Sequence, residues 1–160
     1  MRKFQIKYII FAIIIIIFTV LFDQMTKNWA MYSLNMSIPV TFFLSFTLSF
    51  NKGISFGLFN SSQTDQVILV IVALSIVLGL SLTINRSIFI PYSLIIGGAI
   101  GNIIDRLRVS AVIDFINLHY KNYHFPIFNI ADIAICLGCG VLLFAELLQS
   151  RKNQPDSKGT

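Results

Sequence analysis

The run Tyr8-Ile-Ile-Phe-Ala-Ile-Ile-Ile-Ile-Ile-Phe-Thr-Val-Leu-Phe22, followed at once by Asp23-Gln-Met-Thr-Lys27, decides what kind of fold this chain adopts. It is uninterrupted by charge and apolar on every helical face, the signature of a helix surrounded by hydrocarbon. It falls short of the roughly 20 residues that cross a bilayer, so the helix is expected to recruit Lys7 by snorkelling and to continue past Asp23. Arg2, Lys3 and Lys7 ahead of an apolar run also resemble the start of a secretory signal peptide. No small-x-small cleavage site follows, and a retained span is the expectation.

The whole composition agrees. Of 160 residues, 56% are hydrophobic and only 12% charged, and the mean hydropathy of +0.79 is too high for an ordinary soluble domain. The net charge of +5 does not point to nucleic acid, because the basic residues stand singly between apolar blocks and form no stripe. Further apolar runs occupy residues 67–84, 88–104 and 127–148. The expected fold is therefore membrane α-helical, with four transmembrane helices at about 7–25, 67–84, 87–105 and 127–148. These make one integral membrane domain over 1–148, and a polar cytoplasmic tail, expected to be disordered, follows at 149–160. Four spans put both termini on one side. Arg2, Lys3, Lys7, Arg86, Arg151, Lys152 and Lys158 then face Lys27, Lys52, Arg106, Arg108 and Lys121 across the bilayer, which favours cytoplasmic ends.

Two segments are left outside. In 40–50 the even positions Val40, Phe42, Leu44, Phe46, Leu48 and Phe50 are apolar, and Phe43 alone breaks the polar alternation between them. That is a strand period, and it predicts a small extracytoplasmic sheet, with residues 53–59 as the pairing segment. Residues 106–126, with Tyr120, Tyr123, His124 and Phe125, have the composition of an interfacial amphipathic segment.

Chemistry concentrates in a few polar residues at the ends of the apolar runs. An ionisable group within a span costs roughly 3 kcal/mol or more, so each one asks for a partner and a function. Asp114, between Ile113 and Phe115, and Asp132, one helical turn after Asn129, are expected to meet if the third and fourth helices pack side by side. Two carboxylates sharing such a site do not both ionise easily and titrate as a unit. That is the state aspartic-protease chemistry needs: the ionised member draws a proton from water attacking a peptide carbonyl, and the protonated one hydrogen-bonds the carbonyl oxygen and later supplies a proton to the leaving amine. For Asp132 a helix-capping or solvated role competes with this one.

Asn102, Asp105 and Arg106 share a helix face, with an Asp105 and Arg106 ion pair as the plainer alternative. The spacing of Gly97 and Gly101 invites close approach of another helix. Asp23 and Lys27, at i and i+4, suggest a supporting ion pair, worth a few tenths of a kcal/mol if exposed. Asn51 and Gly53 belong to a turn after the strand.

No metal set such as HExxH accompanies His119 and His124, and neither metal nor cofactor is expected. Cys136 and Cys139 sit in an apolar helical run, where free thiols pack as small hydrophobes. A Ser55 and Lys52 dyad lacks the buried surroundings needed to activate a lysine. A proton-coupled transporter and a non-catalytic assembly factor remain as rivals from other classes, the first weakened by small size and the absence of a visible repeat.

Five short motifs in order resemble the bacterial lipoprotein signal peptidases, the signal peptidase II family of intramembrane aspartic proteases. They are Asp-Gln-x-x-Lys at 23–27, Asn-x-Gly at 51–53, Gly-Asn-x-x-Asp-Arg at 101–106, Val-x-Asp-Phe around Asp114, and Phe-Asn-x-Ala-Asp at 128–132. The resemblance implies four helices with an extracytoplasmic β cradle. It implies Asp114 and Asp132 as the catalytic dyad, with Asn102, Asp105, Arg106 and Asn129 supporting them. It also implies an inner-membrane peptidase that removes signal peptides from diacylglyceryl-modified prolipoproteins just before the lipid-bearing cysteine; a monomer is the expectation. The chain departs from the family's usual small residues at Ile54, Ser55 and Ile133.

Overall fold

Along the first helix the buried residues are the small and polar ones. The computed structural model describes residues 6–53, 63–84, 87–121 and 123–152, and in it helix α1 (Ile6–Ser33) buries Ala12, Thr19, Asp23, Lys27 and Ala30. Its large apolar side chains, among them Ile10, Phe11, Ile14, Phe18, Leu21 and Phe22, are exposed. Such an inverted helix is at home only where the surroundings are hydrocarbon. The helix outruns its expected end near residue 25, because Asp23 and Lys27 point into the bundle and do not terminate it.

Three more helices follow: α2 (Gln63–Thr83), α3 (Phe89–Val109) and α4 (Ile130–Lys152). The last continues into the stretch expected to be a disordered tail; residues 153–160 lie outside the described ones. Among the described residues, three helices are long and apolar enough to cross a membrane: α1, Thr64–Thr83 of α2 and Ile130–Leu148 of α4. The fourth expected span, α3, is helical but not among them. It packs against α1, α2 and α4, so protein takes the place of lipid around it and its wall carries Asn102, Asp105 and Arg106.

Glycines set how closely α3 is held. A Cβ on Gly97 would lie 2.8 Å from Thr19 Cβ of α1, and one on Gly101 would meet the Asp23 carboxylate. This is the close approach that the Gly97 and Gly101 spacing predicts. On the other side, Gly98 abuts the Ala131 carbonyl of α4.

The expected strand over 40–50 folds back on itself. Phe42 and Phe43, where the alternation breaks, form the turn between β1 (Ile38–Thr41) and β2 (Leu44–Asn51). Of the pairing segment expected at 53–59, residues 54–59 lie outside the described ones. The described partners of β2 are β1 and β3 (Val112–Tyr120), in an antiparallel sheet of order β1-β2-β3-β4, with β4 at Tyr123–His124. The segment expected to be interfacial and amphipathic is therefore a strand hairpin. The alternation that marks β2 is absent from the first half of β3 because Val112, Ile113, Asp114 and Phe115 are all buried, leaving no solvent face to alternate with; it appears only from Ile116 to Tyr120. Trp29 of α1 meets Phe46 and Phe115 edge-on, with ring centroids 5.4 and 6.1 Å apart, and fastens the sheet to the end of the helices.

Candidate active site

Asn129 stands immediately before α4 and caps it. Its Oδ1 accepts the Asp132 amide N–H at 2.9 Å, and Asp132 Oδ2 accepts the Asn129 amide N–H at 3.3 Å. This is a reciprocal capping box, which satisfies two of the four N–H groups every helix start leaves open. The Asn129 Nδ2 group turns the other way, donating to Asp114 Oδ1 at 2.6 Å, with Ile113 O and Asn102 Oδ1 each at 3.3 Å. One residue thus starts the helix that carries Asp132 and grips the strand that carries Asp114.

Each carboxylate has a further asparagine. Asn51, at the end of β2, donates through Nδ2 to Asp114 Oδ2 at 3.0 Å, and its own Oδ1 accepts the Gly53 N–H at 3.1 Å in a tight turn. Asn102 of α3 donates through Nδ2 to Asp132 Oδ1 at 2.9 Å. The Asn102 oxygen faces Lys27, whose Nζ donates to it at 2.9 Å. A lysine donates only, so this contact fixes which end of the amide faces Asp132.

Lys27 is fully buried, and so are its carboxylate partners: Asp23 Oδ2 lies at 2.8 Å and Asp105 Oδ2 at 2.7 Å. The i, i+4 ion pair suggested by the sequence is present, and with Asp105 it forms a buried triad spanning two helices. The alternative pairing of Asp105 with Arg106 gives way, since Asp105 serves Lys27 and also accepts the Ile113 amide at 3.2 Å. Asp23 Oδ1 accepts the Ala131 amide of α4 at 2.9 Å. Gln24, which sequence reasoning passed over, donates through Nε2 to Asp105 Oδ1 at 2.9 Å and to Gly101 O at 3.2 Å. Its position beside Asp23 in the first motif was the available signal.

Asp132 and Arg106 line a cleft of about 720 Å³ with Asn51 and Gly53, aromatic Phe125 and Phe128, and the α4 side chains Ile133, Ile135, Cys136 and Leu137. The Arg106 Nε is buried without a hydrogen-bond partner, and the charges of Asp132, Asp114 and Asp105 act on the guanidinium. Asp114 is buried behind this wall. Burial, reinforced by the Asp132 charge, pushes its carboxyl up to about 7, against the opposing pull of hydrogen bonds from Asn51 and Asn129 and of the Lys27 charge. Among the described residues no cluster of three His, Cys, Asp or Glu side chains has the arrangement to hold a metal ion. Cys136 and Cys139 are free and exposed on α4, not packed inside.

Fold and site together define a helical membrane protein that, at one end of its bundle, presents Asp132 to a cleft bounded by an apolar helix and buries Asp114 behind it. The chain belongs to the signal peptidase II family: the family model described as signal peptidase (SPase) II matches residues 15–148. It is 41% identical to the lipoprotein signal peptidase of Clostridium tetani over 139 residues, 82% of this chain and 88% of that one. It is likewise 41% identical to the namesake of Rickettsia prowazekii over 156 residues, 91% and 79% of the two chains. A structure described as a bacterial membrane enzyme solved by the in meso method at 2.3 Å superposes with a TM-score of 0.77 at 31% identity, covering 93% of this chain and 94% of that one. A second, at 1.9 Å, gives 0.72 at 33% identity over 85% and 92%. The chain is an integral membrane protein of that family, a peptidase by descent.

Proposed function

We propose that this protein is an aspartic endopeptidase that removes the signal peptide from diacylglyceryl-modified bacterial prolipoproteins, cutting just before the lipid-bearing cysteine, with Asp114 and Asp132 as its catalytic dyad. The observation that carries the reading is the double role of Asn129, whose side-chain amide donates to the Asp114 carboxylate while its main-chain N–H donates to the Asp132 carboxylate. Its relatives are named lipoprotein signal peptidases.

In this mechanism Asp114, with its carboxyl at about 7, is the protonated member at rest and Asp132 the ionised one. Asp132 takes a proton from the attacking water while the Asp114 proton moves toward the carbonyl oxygen, giving a neutral tetrahedral intermediate. On collapse, it is Asp132, the member ionised at rest and not the protonated one expected from the sequence, whose newly gained proton passes to the leaving nitrogen as the C–N bond breaks, and Asp114 recovers its own as the carbonyl re-forms. The pair ends with the single proton it began with. Arg106, with its spare Nε beside the cleft, is suited to hold a substrate carbonyl. Asn102, Asp105, Asn51, Gly53, Asp23, Lys27 and Gln24 position the dyad.

The domain spans 1–148 of the inner membrane, with α3 as the fourth crossing, enclosed by the other three. Both termini are cytoplasmic, as the distribution of basic residues favours, and the sheet and dyad face the extracytoplasmic side. The signal helix of the substrate lies against the Ile133 to Leu137 face of α4 and reaches the dyad sideways from lipid. The protein acts as a monomer, without metal.

The test is cleavage of a diacylglyceryl-modified lipobox peptide by the purified protein in lipid or detergent, with and without chelator. Asp114→Asn and Asp132→Asn are each expected to lower turnover by at least about 10⁴-fold, on the scale of other catalytic groups that act as a unit, with thermal unfolding still cooperative. Substantial turnover in a folded variant of either removes that residue from the dyad, and loss of activity to chelator alone replaces the mechanism with a metallopeptidase one.

A further inference from the structure

A second cavity, of about 410 Å³, lies on the β3–β4 hairpin and is lined by Phe43, Leu118, His119, Tyr120, Tyr123, His124 and Phe125. Phe125 also lines the cleft that holds Asp132, so the two spaces adjoin along one stretch of chain. That stretch runs antiparallel to β3: Tyr123 and His124 pair with Tyr120 and His119, and farther along Phe128 bridges to Ile116. The Phe125 N–H is spent inward, on Leu118 O at 2.9 Å. By the alternation of an antiparallel ladder, the neighbouring His124 then turns its own N–H and C=O away from β3. β4 is the last strand in the sheet order, which makes those groups an open edge, the template an extended peptide uses to add a strand.

Direction follows from what walls each space. The larger cleft descends α4 past Ile133, Cys136 and Leu137, an apolar path suited to a signal helix. A chain arriving along it and passing Asp132 meets Phe128 and Phe125 next and leaves over the hairpin. We propose that the aromatic cavity and the open edge of β4 form a subsite for the extended residues that follow the scissile bond, so that the enzyme grips the mature part of its substrate as well as the signal helix. This rests on the peptidase reading above. Residues 123–128 reach about 20 Å at roughly 3.3 Å each, so a substrate fills the subsite when about six residues follow the cleavage point. The cavity lining selects apolar or aromatic side chains there, with His119 and His124 as polar handles.

The experiment compares two diacylglyceryl-modified lipobox peptides identical up to the modified cysteine, one ending two residues after it and one continuing for eight uncharged residues. With the full-length protein, the longer peptide is expected to show a KM about tenfold lower, equivalent to ~1.4 kcal/mol, at similar kcat. Tyr123→Ala and Tyr120→Ala truncate side chains that are 82% and 58% exposed. Each is expected to erase most of that advantage while leaving the short peptide's KM and kcat unchanged. N-methylation of successive amides in the extension is expected to weaken binding at alternate positions. Equal KM values for the two peptides in the unsubstituted protein overturn the inference, as do variants that keep the advantage or lose activity on both peptides alike. Failure to cleave either peptide strikes the peptidase reading itself and takes this one with it.

Discussion

Replacing Lys27 by Met is the sharpest test of how the site is held. The side chain keeps an unbranched apolar stem and loses the terminal ammonium, leaving Asp23 and Asp105 without the charge that lies 2.8 and 2.7 Å from them. Were the pair exposed, the loss would be about 0.3–0.5 kcal/mol. Breaking a buried pair by removing one partner costs about 3–5 kcal/mol, because the remaining charge is stranded away from water. Here two carboxylates are stranded at once. At the sensitivity of proteins of this size, 3–5 kcal/mol lowers Tm by roughly 6–20 °C. The assay is thermal unfolding in a fixed detergent, followed by intrinsic fluorescence of Trp29, which packs on Phe46 and Phe115. Adding Asp105→Asn to the variant removes one stranded charge and leaves an oxygen for the Ile113 amide, so part of the Tm is expected to return. The two substitutions are in contact and their effects should not add. Cleavage is expected to fall about 100-fold in the single variant, since the Asn102 amide loses the donor that orients it toward Asp132 and a displacement near 1 Å costs on that order. A Tm within 2 °C of the parent (about one step of the scale above), or a double variant less stable than the single one, refutes the buried-triad reasoning.

The pH dependence of kcat/KM tests the proton on Asp114. The protonated form is the active one and prevails below about 7, so activity falls on the alkaline side through that pH. Asn51→Ala deletes a hydrogen bond that favours the ionised form. One such bond is worth about 1 kcal/mol and a pKa unit 1.36, so the alkaline limb is expected to move upward by roughly 0.7 unit; a downward shift contradicts the assignment. Packing of α3 on α4 is tested by Gly98→Ala, whose Cβ would meet the Ala131 carbonyl and lie 2.8 Å from Ile135 Cγ1. It is expected to cost about 1–3 kcal/mol and to impair cleavage through the displaced start of α4. Gly140→Ala, where nothing lies within 4 Å, is expected to leave cleavage intact and to raise stability by up to about 1 kcal/mol through helix propensity. Parallel Tm and activity measurements on the two variants decide the point.

The helices and the polar residues of the site were legible in the sequence because both stand out against an apolar background. What was hidden was the pairing of those residues. Asp23 and Lys27 show an i, i+4 relation within one helix, but only the packing of α1 on α3 brings Asp105 to the same ammonium and takes it out of solvent. Arg106 looked like the nearer partner for Asp105; it faces the cleft instead, one residue around the helix. Strand β3 was hidden for a different reason. Period-two alternation reports the contrast between a buried and a wet face, and the first half of β3, covered on both sides, has none. The polar residue in that buried half is Asp114, the one proposed above to do chemistry.

The double use of Asn129 has a consequence for how this site tolerates change. A helix cap and a catalytic clamp usually fail separately: loss of a cap costs about 1 kcal/mol of stability, and loss of a clamp costs rate. Here the cap oxygen holds the Asp132 amide while the amide nitrogen holds Asp114, so one planar group fixes the start of α4 and the spacing of the two carboxylates together. The planarity matters because rotating the amide to improve one bond breaks the other. Asp at this position would keep the capping oxygen but replace the donor to Asp114 with a third negative charge, and Ser would keep the cap without the reach. Among good capping residues, Asn alone supplies an acceptor toward the helix and a donor toward the strand at a fixed distance. On the proposed mechanism, the demand for Asn at the start of α4 comes from the chemistry of the pair, and the fold uses what that chemistry demands.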